Sequence, residues 1–242
     1  MRLSRLYVDE PLVVEQLVWL NQETSHYLLK VLRLRMGTLI TLFNGQGGEY
    51  SARLVAATKK TAQLQVETYS AIERESALSL TLVQALSRPE HMDYTIQKSV
   101  ELGVQNLVPV ITERSPPLDE TKINKREQHW RKIIISACEQ CGRNRLPQLY
   151  ETQSLNTWLA RPLLGMGMVL SPNGNNRWHE MDQLNNSITV LIGAEGGLSE
   201  AEIQQAQQAG YLDIRLGPRI LRTETAAVAV LAVCQAFGGD WG

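Results

Sequence analysis

The stretch Ile192-Gly193-Ala194-Glu195-Gly196-Gly197 follows an apolar run and precedes the sequence Ser199-Glu200-Ala201-Glu202. This order predicts a buried strand, a tight turn and a helix, because glycine allows sharp turns and a serine with a glutamate three residues later caps a helix. A second stretch, Leu216-Gly217-Pro218-Arg219-Ile220-Leu221-Arg222-Thr223-Glu224-Thr225, also lies between an apolar run and a helical pattern. Two such turns at neighbouring strand ends predict a ligand-binding crevice in an open α/β sheet.

The chain around these turns alternates strand-like and helix-like segments from about residue 73 onward. Strands are predicted at 80–86, 104–111, 166–170, 188–192 and 212–216, and helices at 91–102, 123–141, 154–159, 199–209 and 225–237. This alternation is typical of a mostly parallel sheet with helices on both faces.

The last predicted helix is almost wholly apolar, so it needs cover on all sides. That cover comes either from its own domain or from a second subunit. We favour the second, because the terminal helix of a modest domain rarely finds full cover alone, and we therefore expect a homodimer.

Residues 1–72 have a different pattern, with short apolar stretches at 3–8, 39–43, 50–56 and 62–69 separated by turns. One short helix is predicted at 25–32. Several strands at short spacing predict a small β-barrel or sandwich. The polar segment 72–79 is the candidate linker, which gives two predicted domains, 1–72 and 73–242.

Composition excludes several classes of protein. No apolar run approaches the ~18 residues of a membrane span, and Met1–Arg5 leads into no apolar signal region, so a cytoplasmic location is expected. The formal net charge is −1. A nucleic-acid partner would therefore have to bind local basic patches.

A metal site is not expected. The histidines (His26, His91, His129 and His179) lack metal-ligand spacing, and no further zinc ligands accompany the pair Cys138 and Cys141. We interpret the two cysteines as ordinary helix residues.

Three charged residues within the two turns are candidates for chemistry. Glu195 lies among glycines, where a carboxylate has little to pack against. Thr223 and Glu224 suit a helix N-terminus. Arg222 does not, because a cation there is unfavourable without an anion beside it. Arg222 is therefore expected to contact a ligand or to pair with Glu224 or Glu195.

Basic residues elsewhere are candidates for contact with nucleic-acid phosphate. Some have an equally good structural explanation, because basic residues suit a helix C-terminus and alternating basic and apolar residues also occur on a half-exposed edge. The candidates are Lys30, Arg33, Arg35, Arg114, Arg143 and Arg145.

The two turns resemble the signatures of the knotted SPOUT-type RNA methyltransferases. Residues 192–199 are similar to the glycine-rich signature of that superfamily, with Ala194 where proline is usual, and residues 216–226 closely resemble a run of one branch, the ribosomal RNA small subunit methyltransferase E family. Segments 31–35, 112–115 and 139–143 are also similar to that branch, in the same order. Two further departures are Ala227, which replaces a usual proline, and Pro116, which stands where valine is common.

The resemblance implies an N-terminal PUA-like barrel that binds RNA, a C-terminal α/β domain with a deep trefoil knot, an obligate dimer and S-adenosylmethionine as methyl donor. It implies methylation of N3 of a uridine in 16S rRNA of the small ribosomal subunit. The implied donor-binding residues are Leu170, Ile192, Gly193, Gly196, Gly197, Leu216, Gly217, Ile220, Leu221 and Thr223.

This chemistry assigns hypothetical roles to the charged residues. Arg222 would stabilise the uracil anion, and Glu195 or Glu224 would accept its proton, directly or through water. Two alternatives stay open: a SPOUT methyltransferase that acts on another RNA, which mapping of the methylated nucleotide would identify, and a non-catalytic RNA-binding protein, which would bind no donor.

Overall fold

The computed structural model describes residues 4–58, 60–117, 119–177 and 186–241, and its chain forms two units. The first unit comprises Met1–Glu75 and Cys138–Leu146, and the second comprises Ser76–Ala137 and Pro147–Gly242. His179, one of the four histidines considered above, lies outside the described residues. The boundary between residues 72 and 73 stays a prediction.

The first unit is built on a five-stranded sheet. Its elements are β1 (Arg5–Tyr7), β2 (Leu17–Trp19), α1 (Gln22–His26), a π-helical turn (Tyr27–Val31), β3 (Leu39–Phe43), β4 (Glu49–Ala57) and β5 (Ala62–Ser70). The strand order is β1-β3-β4-β5-β2, with β1 and β3 parallel and the other pairs antiparallel. Leu28, Ile40, Leu42, Leu54 and Leu64 lie in its core.

Two details of this unit differ from the prediction. Strand β2 was not predicted, because only Val18 of its three apolar residues is buried and the segment lacks a clear alternation. The predicted helix at 25–32 begins earlier, because the side chain of Asn21 accepts the N–H of Thr24 and caps α1. It then widens into the π-helical turn, a distortion that periodicity does not reveal.

The second unit has the predicted parallel sheet. Its strands are β6 (Ser79–Ala85), β7 (Asn106–Ile111), β8 (Gln148–Leu149), β9 (Gln153–Ser154), β10 (Met166–Leu170), β11 (Asn176–Arg177), β12 (Ser187–Ile192) and β13 (Tyr211–Arg215). The strand order is β11-β13-β10-β12-β6-β7-β8, with β9 beside β7, and all of these pairs are parallel. The prediction of a mostly parallel α/β sheet is confirmed. The trefoil knot stays a prediction.

The helices follow the predicted positions closely. They are α2 (Pro89–Glu101), α3 (Glu120–Cys141), α4 (Leu155–Leu159), α5 (Glu200–Gln208) and α6 (Thr223–Gly238). The predicted capping box of α5 is present, with Ser199 and Glu202 bonding each other's backbone. No helix among the described residues combines the length and the apolar character needed to cross a membrane.

The strand order explains why the two glycine turns meet. Strand β10 pairs with β12 on one side and with β13 on the other. The turns that follow β12 and β13 therefore flank the carboxyl end of β10, at Leu170. Because parallel strands present their carboxyl ends at one edge of the sheet, this edge is the expected place for a ligand.

Helix α6 is covered on one face. Ala227, Val230, Leu231 and Cys234 are buried, while the intervening apolar residues are half-buried and Phe237 is 71% exposed. A single chain thus leaves apolar surface on the helix that the sequence predicted to need cover on all sides.

Candidate functional site

A cleft of about 290 Å³ opens at the carboxyl ends of β10, β12 and β13. Its walls are the turns after β12 and β13, together with Ser171 and Pro172 after β10. All ten residues predicted to bind a donor line this one cleft: Leu170, Ile192, Gly193, Gly196, Gly197, Leu216, Gly217, Ile220, Leu221 and Thr223. Glu195 lines it too, whereas Arg222 and Glu224 are not among its lining residues.

The turn after β12 is closed by its own backbone. The N–H of Gly197 donates to the carbonyl of Ala194 at 2.9 Å, and Gly197 has a φ of 72°, which favours glycine. A Cβ on Gly193 would lie only 2.6 Å from the carbonyl carbon of Gly197. The turn is thus formed with Ala194 in place of the usual proline.

A buried polar cluster joins this turn to helix α6. The hydroxyl of Thr223 donates to the carbonyl of Gly193 at 2.6 Å and accepts from Nε2 of Gln84 at 2.9 Å. Nε2 of Gln84 also lies 3.3 Å from the same carbonyl. Thr223 and Gln84 are 6% and 3% exposed, so water does not compete with these bonds. The cluster fixes the start of α6 against the ends of β6 and β12.

Glu195 is held by the start of α2. Its Oε1 accepts the backbone N–H of Arg88 at 2.8 Å and lies 3.0 Å from Nδ1 of His91. Burial alone would raise the pKa of Glu195, but hydrogen bonds from Arg88, from its own backbone and from His91 outweigh it and hold the pKa below its ordinary value. Glu195 is therefore ionised at neutral pH.

Glu224 approaches the same histidine from α6. Its Oε2 lies 3.8 Å from Nδ1 of His91, and this buried oxygen has no hydrogen-bond partner among the described residues. The structure thus brings together two of the three predicted catalytic residues, Glu195 and Glu224, around a histidine that the sequence did not single out.

Arg222 lies immediately before α6 as its N-cap residue and is exposed. Among the residues that the structure describes, no ion pair is found for its guanidinium, and the alternative pairings with Glu224 or Glu195 are not seen. Arg222 is therefore available to a ligand next to the cleft.

Arg114 has an intramolecular role in the second unit. Its NH1 donates to the carbonyl of Gly196 at 2.6 Å and lies 3.3 Å from that of Leu198. These bonds support the outer side of the turn after β12. The side chain stays exposed at the surface.

The other basic candidates lie in the first unit. Lys30, Arg33 and Arg35 are exposed at and after the π-helical turn. Arg33 has a φ of 52°, a left-handed conformation that is uncommon for residues other than glycine. Arg145 is about half exposed and lies 3.5 Å from Glu73.

Arg143 differs from this group. It is 4% exposed, and its Nε donates to Oε1 of Glu75 at 2.9 Å, with a second bond from NH2 to Oε2. Such a buried two-point ion pair fixes the chain within the first unit and does not favour the predicted contact of Arg143 with RNA phosphate.

The remaining groups considered in the sequence are the two cysteines of α3 and the possible metal ligands. Cys138 is buried, and burial raises the pKa of its thiol to about 12; Cys141 is half-buried, and both thiols are free. No cluster of three or more His, Cys, Asp or Glu residues suited to a metal ion occurs in the described part of the chain.

Sequence reasoning missed Gln84 and His91, although each left a signal. Gln84 is the one polar side chain near the end of the otherwise apolar segment 82–86. His91 follows β6, which pairs with β12, so its place at the carboxyl edge of the sheet follows from the predicted topology. Neither signal is specific without the strand order.

We predict that Thr223→Val lowers the free energy of unfolding by about 1–2 kcal/mol, because a buried carbonyl loses a donor and no new bond replaces it. Urea denaturation measures the change. Thr225→Val is the matched control: Thr225 is exposed, and its substitution should alter stability by less than about 0.5 kcal/mol. Equal effects of the two variants would contradict the role of the buried hydroxyl.

Comparison with known proteins agrees with this geometry. An RNA methyltransferase domain model matches residues 74–235, and an RNA methyltransferase PUA domain model matches residues 20–67. Ribosomal RNA small subunit methyltransferase E of Buchnera aphidicola (from Schizaphis graminum) is 34% identical over 99% of this chain and 98% of its own length.

Solved structures give the same result. The crystal structure of a ribosomal RNA small subunit methyltransferase E from Neisseria gonorrhoeae, bound to S-adenosylmethionine, is 38% identical with a TM-score of 0.93, and all of both chains is covered. A methyltransferase of Legionella pneumophila, solved with the same cofactor, is 38% identical with a TM-score of 0.95 over 99% of this chain and all of that one.

These matches confirm the expected fold, an N-terminal PUA-like domain followed by a parallel-sheet methyltransferase domain. They extend over nearly the whole chain and include both glycine turns and the cleft between them. The chain belongs to the family of ribosomal RNA small subunit methyltransferase E.

Proposed function

We propose that this protein transfers a methyl group from S-adenosylmethionine to N3 of a uridine in 16S rRNA of the small ribosomal subunit. The observation that carries the proposal is the cleft formed by the two glycine turns, in a chain whose relatives are rRNA methyltransferases and are solved with this donor. The cytoplasm, the trefoil knot and the domain division at residues 72/73 belong to the same proposal.

The residues of the cleft fit such a donor. The walls are mostly main chain and aliphatic side chains, with open space beside Gly217, whose φ is 98°. Main-chain groups at a strand–helix turn suit the polar parts of a nucleoside. Glu195 adds one ionised carboxylate, which attracts a cationic sulfonium and loses that attraction when the methyl group has left. When bound, the donor supplies an electrophilic methyl carbon.

The chain's own residues must make N3 of uracil nucleophilic. N3 carries a proton on the base-pairing edge, so the base has to be unpaired or extruded before the residues of the site reach it. Arg222, exposed and without an ion pair among the described residues, is assigned to the negative charge that develops on the uracil oxygens. Glu195 and Glu224 supply negative charge that favours the departure of the N3 proton.

RNA binding is assigned to the exposed basic residues. Lys30, Arg33 and Arg35 form a short basic segment in the PUA-like domain, and the left-handed backbone of Arg33 is a strained feature of the kind that clusters at functional sites. Arg145 and Arg114 keep exposed guanidinium surface beside their intramolecular bonds. Arg143 is left out of this set because it is buried.

A homodimer is the proposed oligomeric state. Its support is the half-buried apolar face of α6, which includes Val228 and Val233. A second copy of the chain would cover this surface.

The proposed reaction predicts a specific product. Small ribosomal subunits that lack the modification, incubated with the protein and labelled S-adenosylmethionine, should yield labelled N3-methyluridine at one position of 16S rRNA. Nucleoside analysis and mapping of the labelled nucleotide test this. Label in a ribose, in another base or in another RNA would contradict the proposed substrate, and failure to bind the donor in calorimetry would contradict an enzymatic function.

Arg222→Ala should lower kcat by about 10²–10³-fold, because one aligned donor to a developing anion is worth that much. Binding of the methyl donor, measured by calorimetry, should persist. Arg222→Lys should recover part of the rate, since it keeps the charge. Arg131→Ala, at an exposed position of α3, is the control and should leave kcat unchanged. A folded Arg222→Ala protein with the wild-type kcat would remove Arg222 from the mechanism.

The dimer is tested by size-exclusion chromatography with light scattering. The expected mass is twice the 27.2 kDa of one chain, and Val233→Glu should shift it toward the monomer by burying a charge in an apolar interface. Leu164→Glu is the control, because Leu164 is 75% exposed. A monomeric wild-type protein at micromolar concentration would contradict the proposal.

A further inference from the structure

His91 occupies a position that neither the donor cleft nor the polar cluster of Thr223 explains. It lies in the first turn of α2, just after β6, and its side chain is 21% exposed. Its Nδ1 is 3.0 Å from Oε1 of Glu195 and 3.8 Å from Oε2 of Glu224. A histidine thus stands between two carboxylates, one of which lines the cleft.

This contact determines which ring nitrogen is left for a substrate. An ionised carboxylate accepts hydrogen bonds and does not donate them. Nδ1 of His91 therefore carries the proton of its hydrogen bond with Glu195. In the neutral ring, Nε2 then has a free lone pair. Among the residues that the structure describes, none bonds to Nε2 of His91. Orientation of a histidine by a carboxylate at Nδ1 is the arrangement that prepares Nε2 as a base.

We propose that His91 is the catalytic residue that accepts the N3 proton of the target uridine at Nε2, with Glu195 orienting the ring and Glu224 stabilising the imidazolium. This inference rests on the proposed function. The N3–H bond breaks and an Nε2–H bond forms, while the electron pair left on N3 forms the new bond to the methyl carbon. Sulfur keeps the electron pair of the broken sulfur–carbon bond, and the imidazolium afterwards gives its proton to water.

Glu195 is less suited to take the proton itself. Its Oε1 already accepts hydrogen bonds from Arg88 and His91, and these bonds hold its pKa below the ordinary value. A carboxylate stabilised in this way is a weak base at neutral pH. It is well suited to the other task, which is to fix the orientation of the ring.

The charges around His91 act in opposite directions. Two carboxylates face it, Glu195 from the turn after β12 and Glu224 from α6. The N-terminus of α2 disfavours a cation in its first turn. On α2 itself the neighbouring acidic residues are Glu90 and Asp93, and Asp93 bonds to His129.

The first test determines the tautomer of the His91 ring and needs no substrate. Two-bond proton–nitrogen NMR of ¹⁵N-histidine-labelled protein distinguishes the two neutral tautomers, and the spectra of His91→Asn and His129→Asn assign the signals. We expect His91 to be protonated at Nδ1 in its neutral form and His129→Asn to leave that signal unchanged. A neutral ring protonated at Nε2 would overturn the proposal, because that nitrogen would then have no lone pair for the uridine proton.

The second test is kinetic and uses the same variants on unmodified small subunits. The kcat of His91→Asn should fall by about 10²-fold or more, with the affinity for the donor within about threefold of the wild type by calorimetry. The wild-type rate should fall at acidic pH, where a general base already carries a proton, and this acidic limb should be missing in His91→Asn. The control His129→Asn should keep both the rate and the limb.

Two kinetic outcomes would also overturn the role of His91. One is an unchanged rate in the folded variant. The other is a loss of rate that follows a loss of donor affinity while the acidic limb remains, which is the result expected if His91 only clamps the turn. If the wild-type protein methylates another atom, the proposed function is contradicted instead. The tautomer measurement distinguishes this failure from a failure of the role of His91, because it needs no RNA.

Discussion

The hydrogen bond from the Thr223 hydroxyl to the Gly193 carbonyl is the constraint on which the site depends. It joins the first residue of α6 to the turn after β12, in a place that water does not reach. Gln84 bonds to both partners and so adds β6 to the same junction. The parallel pairing of β12 and β13 with β10 brings the two glycine turns to the same edge of the sheet. The buried cluster then holds the start of α6 against the turn after β12, where Glu224 and Glu195 approach the same histidine.

The same region keeps polar atoms that its packing leaves unsatisfied. Oε1 of Gln84 and Oε2 of Glu224 are buried without a hydrogen-bond partner among the described residues. An unsatisfied buried polar atom costs about 1–3 kcal/mol, so an apolar replacement would serve stability better if stability were the only requirement. Glu224 is in addition next to a second carboxylate, which is unfavourable unless a cation or proton lies between them. His91 occupies that position and relieves the repulsion whenever its ring is charged.

Most of the fold could be predicted from the sequence because local patterns determine it. Strand β3 and strand β10 have the predicted bounds, and the capping box of α5 marks the start of that helix. Strand β2 was missed because Leu17, Val18 and Trp19 are all apolar, so the alternation of exposed and buried side chains is not visible in the sequence. A crevice between the two turns was predictable because glycines mark where main chain is accessible. The ten individual lining residues came from the resemblance to the methyltransferase family. The partners of charged side chains were not: Arg143 and Arg145 look alike in sequence, yet one is buried against Glu75 and the other is half exposed.

The backbone and the side chains of the site have different chemical properties, and these suit different parts of the proposed reaction. Main-chain groups are fixed in number and direction, which suits recognition of one invariant donor. Charged side chains come from three separate elements, α2, the turn after β12 and the start of α6, and of these Glu195 lines the cleft. A proton transfer needs groups whose charge changes, and an anion needs a cation that is not already neutralised. In the proposed mechanism, Arg222, for which no ion pair is found among the described residues, meets the second need, and His91 between two carboxylates meets the first.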